Sequence, residues 1–121
     1  MSYSQPVLSR AVRSSGVILI GIVGDLDTFG TRSIEGEVQA ALPDRTASAI
    51  IDLSGVNIIT SAALAMFIVR AQAMHHAGGK LALAGARGVV LDVLVSAGFQ
   101  SIFPIYTSIE QALSDMEQAD S

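Results

Sequence analysis

The sequence contains no cysteine and no tryptophan. It therefore forms no disulfide and offers no thiolate for metal binding or nucleophilic attack, which fits a reducing, cytoplasmic setting. Aromatic residues make up 5% and charged residues 15% of 121 residues, so the core must be aliphatic. Cations are scarce. Seven Lys and Arg face eleven Asp and Glu, the net charge is −4, and Lys80 is the only lysine. A nucleic-acid binder needs a basic footprint against phosphates, and this chain has none. Long hydrophobic runs are missing as well. Stretches such as Val17–Val23 are far too short to span a bilayer, and the polar N-terminus leads into no apolar leader, so no direct membrane insertion is expected.

Half of the residues are hydrophobic, enough to bury one core. Their pattern alternates between strand and helix. Val7–Arg13 reads as a strand, Ser14-Ser15-Gly16 as a turn, and the β-branched run Val17–Val23 as a buried strand ended by Gly24. Asp27 or Thr28 caps a helix reaching Leu42, with Ile34 and Val38 inward, stopped by Pro43-Asp44. A strand at Ala49–Leu53 closes at Ser54-Gly55, and a linker over Val56–Thr60 leads to a helix over Ser61–Ala77 that ends at Gly78-Gly79. Lys80–Ala84 is a strand, Gly85–Gly88 a loop, Val89–Ala97 a helix stopped by Gly98, and Ile105-Tyr106 a short strand. Thr107 then caps a last helix to Met116. The expected fold is α/β: one domain over residues 1–121, frayed at 1–6 and 117–121, with a mixed sheet of five strands and four helices packed on it.

The residues of chemical interest argue against an enzyme. His75 and His76 are adjacent, about 100° apart on a helix, and cannot form an i,i+4 metal pair; one is expected at the core edge and the other in solvent. No serine sits in a G-x-S-x-G elbow, and Gly85–Gly88 lacks the Lys-Ser/Thr of a phosphate loop. Asp25, Asp27 and Asp52 fall at the carboxyl ends of predicted strands, where α/β domains place their sites. They suggest a Mg²⁺-dependent phosphoacceptor, but the required lysine after a late strand is absent, because Lys80 precedes its strand. No catalytic residue, cofactor or metal ligand is assigned.

Five pieces in order carry a resemblance: Gly24-Asp25-Leu26-Asp27; Asp52-Leu53-Ser54-Gly55-Val56; Ile58-Ile59-Thr60-Ser61-Ala62-Ala63-Leu64; Ala77-Gly78-Gly79; and Gly98-Phe99-Gln100-Ser101-Ile102-Phe103-Pro104-Ile105-Tyr106. Together they resemble the STAS domain of bacterial anti-sigma factor antagonists, from Val17 to Leu113. The resemblance implies a phosphorylation-controlled protein that binds an anti-sigma factor, itself a serine/threonine kinase, and so regulates transcription. The family's phosphoacceptor aligns with Ser61, with Thr60 as the neighbouring alternative. Asp27 and the loop carrying Ser61 are implied to line the docking site. The family's D-S-S-G reads Thr60-Ser61-Ala62-Ala63 here, without its acidic residue and its glycine.

The Ser61 helix gives a separate indication. At 100° per residue, Leu64, Phe67, Ile68 and Ala71 face the sheet, and Ser61 is expected at the N-cap. The opposite face carries Ala62, Met66, Val69 and Ala73 with no charge, a flat apolar docking surface with Met66 as its adaptable contact. Two other readings stand beside the switch: a non-switching subunit of a larger signalling assembly that binds other STAS domains, and a module binding a small ligand near Asp25, Asp27 and Asp52.

Overall fold

The computed structural model describes residues 6–14, 16–42, 47–102 and 104–119. The predicted turn residue Ser15, the helix stop at Pro43-Asp44, Phe103 of the last matching piece and the polar first five residues lie outside them.

Strand β1 (Val7–Ser14) pairs antiparallel with β2 (Val17–Leu26). β3 (Ser48–Ile59), β4 (Lys80–Ala84) and β5 (Ile105–Tyr106) follow in parallel, giving a mixed sheet in the order β1-β2-β3-β4-β5. Helices α1 (Thr28–Ala41), α2 (Ser61–His76) and α3 (Gly88–Ser96) make the crossovers and α4 (Ile109–Ala119) closes the chain. Both β2 and β3 are apolar along most of their length because both faces of the sheet are covered. On one face, Ile18, Ile20 and Ile22 of β2 and Ile51 and Leu53 of β3 meet Ile34, Phe67 and Leu94 of the three crossover helices. On the other, Val17, Leu19, Ile50, Ala82 and Ala84 pack under Ala112 and Met116 of α4. Each fully buried Ile, Leu or Phe stabilises the fold by about 1.5–3 kcal/mol.

Two boundaries differ from expectation, and these build the site. β2 continues past Val23 to Leu26, and β3 past Leu53 to Ile59, so the predicted linker over Val56–Thr60 is mostly strand. Gly24 and Gly55 read as terminators but are irregularities inside a continuing ladder. Gly24 has φ of 123°, a Cβ on Gly55 would stand 2.8 Å from Val23 Cγ2, and the register shifts around both before Asp25 pairs with Ile58 and Leu26 with Ile59.

The ends of α2 and α4 also shift. The N-cap of α2 is Thr60, in extended conformation, with Ser61 as the first helical residue. The last helix is capped by Ser108, whose Oγ accepts the Gln111 N–H at 3.1 Å, one residue after the expected Thr107. The other end of α2 is as expected. Gly78 has φ of 92°, and its N–H and that of Gly79 donate to the carbonyls of His75 and Met74, the paired bonds of a left-handed glycine cap.

Candidate functional site

The extensions of β2 and β3 bring the starts of two helices together. Leu26 ends β2, Thr60 follows β3, and the Thr60 N–H and its Oγ1–H both donate to the Leu26 carbonyl at 3.1 Å. From this junction α1 departs through Asp27 and α2 through Thr60. Asp27 caps α1 as predicted: its Oδ1 accepts the Gly30 N–H at 2.8 Å. Gly30 fits because it has no side chain, since a Cβ there would stand 2.1 Å from the Asp25 carbonyl oxygen. Asp25 is 7% exposed and its carboxylate accepts the Asn57 Nδ2–H at 3.3 Å, which ties the two strand ends once more.

Thr60 and Ser61 therefore have different work. The Thr60 hydroxyl is half-buried and committed to the Leu26 carbonyl. It makes no capping bond, although threonine is a common N-cap, because the strand end has already oriented it. Ser61 is exposed, at the first position of a helix with no acidic residue in its first turn. The unpaired N–H groups and dipole of such an end favour negative charge. A phosphate on Ser61 would carry −1.5 to −2 charges, roughly, and would meet that end without unfolding it.

The exposed face of α2 is rotated from the expected one. Met66 is 7% exposed and belongs to the core, with Ala63, Phe67, Ala71 and Met74. Ala62 and Ala73 are half-buried. The reason is that α2 packs against α1 as well as against β4, so its buried arc is wider than the sheet alone requires. Solvent sees Ser61, Ala65, Val69 and Gln72, an uncharged stripe at i, i+4, i+8 and i+11, with Val69 60% exposed. Sequence reasoning missed Phe29, in the first turn of α1, which is 80% exposed. Its position two residues after the Asp27 cap, in the first turn of α1, was the available signal.

Asp25, Asp27 and Asp52 do not form one cluster. Asp52 pairs with Gly21 and Ala84, and Gly21 stands four positions before Asp25 on β2, so Asp52 lies about 13 Å along the strands from Asp25, at 3.3 Å per residue. Its Oδ1 accepts the Ser54 N–H at 2.9 Å. Among the described residues no group of three or more His, Asp or Glu side chains is placed to hold a metal ion. Lys80 begins β4, at the amino end of the parallel strands, away from Asp27 and Ser61. His75 and His76 are both exposed, so neither packs at the core edge. Among the described residues no helix is long and apolar enough to cross a membrane.

Comparison with known proteins agrees with this architecture. Residues 9–112 match the family model of the STAS domain. BtrV of Bordetella bronchiseptica, named as an anti-sigma factor antagonist, is 26% identical over 104 residues, 86% of this chain and 90% of BtrV. RsbRB of Bacillus subtilis, an RsbT co-antagonist protein, is 29% identical over 116 residues, which span 94% of this chain but 41% of RsbRB. The crystal structure of an anti-sigma factor antagonist from Mycobacterium paratuberculosis aligns with a TM-score of 0.80 and 21% identity, over 91% of this chain and 92% of that one.

Proposed function

The chain belongs to the STAS domain family, and on that premise we propose that it is an anti-sigma factor antagonist controlled by phosphorylation of Ser61. It acts in the cytoplasm by binding and not by catalysis. The partner is an anti-sigma factor that is also a serine/threonine kinase. The unmodified protein docks through the Ser61, Ala65 and Val69 stripe of α2, with Phe29 and Asp27 of α1 beside it, and holds the partner away from sigma. The kinase transfers the γ-phosphoryl of ATP to Ser61 Oγ. The seryl proton and ADP leave, and the added charge at the head of an uncharged stripe ends the complex.

The observation that carries this reading is the contrast at the start of α2: Thr60 is tied to the Leu26 carbonyl while Ser61 faces solvent. Thr60 stands where the family has an acid, so the phosphate meets a helix end without a neighbouring carboxylate. The exposed apolar side chains supply the contacts that carry most interface energy when buried. The test is intact-mass spectrometry after incubation with ATP and each kinase-type anti-sigma factor of the same genome. The expected result is gain of one phosphoryl group, mapped to Ser61, and loss of a complex that the unmodified protein forms. Absence of both binding and transfer across that set overturns the reading.

The similarity to part of the longer RsbRB favours a second reading, a subunit of a signalling assembly of STAS proteins. Light-scattering mass of the protein mixed with other STAS proteins of its genome separates the two, since an assembly subunit forms large particles with them.

A further inference from the structure

At the end of α2 far from Ser61, the helix, the start of β4 and the segment before β5 enclose a cavity of about 230 Å³. Ala71, Leu81 and Ile102 give it an apolar wall, and His75, His76 and Lys80 line it as well. Those three are both histidines and the only lysine of a chain with net charge −4. Among the described residues no acidic side chain lines the cavity, and none of the three enters an ion pair. The helix dipole accounts for basic side chains in the last turn of α2. It does not account for Lys80, which belongs to the next strand and lines the same cavity. The two imidazoles are splayed, with centroids 6.4 Å apart and planes inclined by 60°, so each presents its own N–H groups.

We infer that this cavity binds a small organic anion, with its charged head on His75, His76 and Lys80 and its hydrocarbon body against Ala71, Leu81 and Ile102. The volume lies below the roughly 300–1,000 Å³ of sites for drug-sized ligands, which sets the body at a few carbon atoms. A carboxylate and a phosphate monoester share the required head chemistry. The site is independent of the Ser61 switch and stands or falls separately.

The test is titration of the whole protein with hexanoate, hexyl phosphate, hexan-1-ol and inorganic phosphate, followed by backbone amide NMR. Saturable shifts at Ala71, Leu81 and Ile102 are expected with hexanoate or hexyl phosphate in the millimolar range of fragment-sized ligands, and the tighter of the two identifies the head. Hexan-1-ol, which lacks the charge-assisted contacts, and inorganic phosphate, which lacks the apolar ones, are each expected to bind about tenfold more weakly or worse. The variant His75→Gln/His76→Gln/Lys80→Gln is expected to lose the same factor with an unchanged melting temperature, because all three side chains are exposed. Should it fold poorly, Lys80→Gln alone provides the comparison. Equal binding of hexan-1-ol and hexanoate, equal binding of inorganic phosphate, undiminished binding by the variants, or no saturable shift with either anion overturns the inference.

Discussion

Thr60 and Ser61 are adjacent hydroxyl residues with opposite surroundings, and substitution separates their roles. Thr60→Val removes the donor to the Leu26 carbonyl and keeps the shape of the side chain. We expect a loss of about 1 kcal/mol in urea unfolding, the net value of such a bond, while Thr60→Ser retains most of it. Ser61→Glu places charge at an exposed helix start without an acidic neighbour. Its stability is expected to stay within about 0.5 kcal/mol of the parent, while its affinity for the anti-sigma factor in calorimetry falls at least tenfold, roughly. A large loss of stability in Ser61→Glu argues that Ser61 supports the fold and not a switch. That α2 starts at Ser61 was legible in the sequence. The role of Thr60 was not, because it depends on a carbonyl 34 residues earlier in the chain.

At the scale of elements, α1 contains two glycines whose surroundings differ. A Cβ on Gly30 would collide with the Asp25 backbone, whereas one on Gly36 meets nothing within 4 Å. Gly36→Ala is expected to raise stability by up to about 1 kcal/mol, and Gly30→Ala to lower it by about 2 kcal/mol or more, both measured by denaturant midpoints. The pair of strands β5 and helix α4 is joined by the Tyr106 hydroxyl, which donates to Asp115 Oδ2. Burial, then this bond and the Asp115 charge, push the phenol from 10.0 up to about 12. A raised value favours the neutral, folded form, so this contribution is full below pH 10 and is lost as pH rises towards 12. Absorbance titration of tyrosinate should show the high value, and Asp115→Asn should lower it only partway, because burial is the larger cause. Element type and order followed from periodicity in the sequence. The lengths of β2 and β3 did not, because Gly24 and Gly55 carry the same local signal as chain-terminating turns while the ladder across the strands continues past them. The expected exposed face of α2 was misplaced for a similar reason: periodicity gives the width of an apolar stripe, but only the neighbour α1 decides that Met66 is inside it.

For the molecule as a whole, the two faces of the sheet are unequally protected. Among the described residues, three helices cover one face, and α4 alone covers the other. Met116, 4% exposed, is a principal contact of that second layer. Met116→Ala is expected to cost about 2–4 kcal/mol in thermal or urea unfolding. It should also increase binding of a dye that reports exposed apolar surface. A neutral effect would show that the sheet carries this face without its helix. One domain and an α/β sheet were legible from alternating strand and helix signals. The assignment of α4 to a face by itself was not, since its amphipathic pattern says only that it packs somewhere.

Strand order in the sheet equals strand order in the chain. During synthesis each strand that leaves the ribosome therefore finds its pairing neighbour already present, and the sheet can grow from one edge without waiting for distant segments. The same sequence of events leaves the Val17, Leu19 and Ile50 surface bare until the final helix emerges. The nascent chain is most vulnerable to sticking to other chains until α4 has emerged, and that helix is the one that ends the exposure.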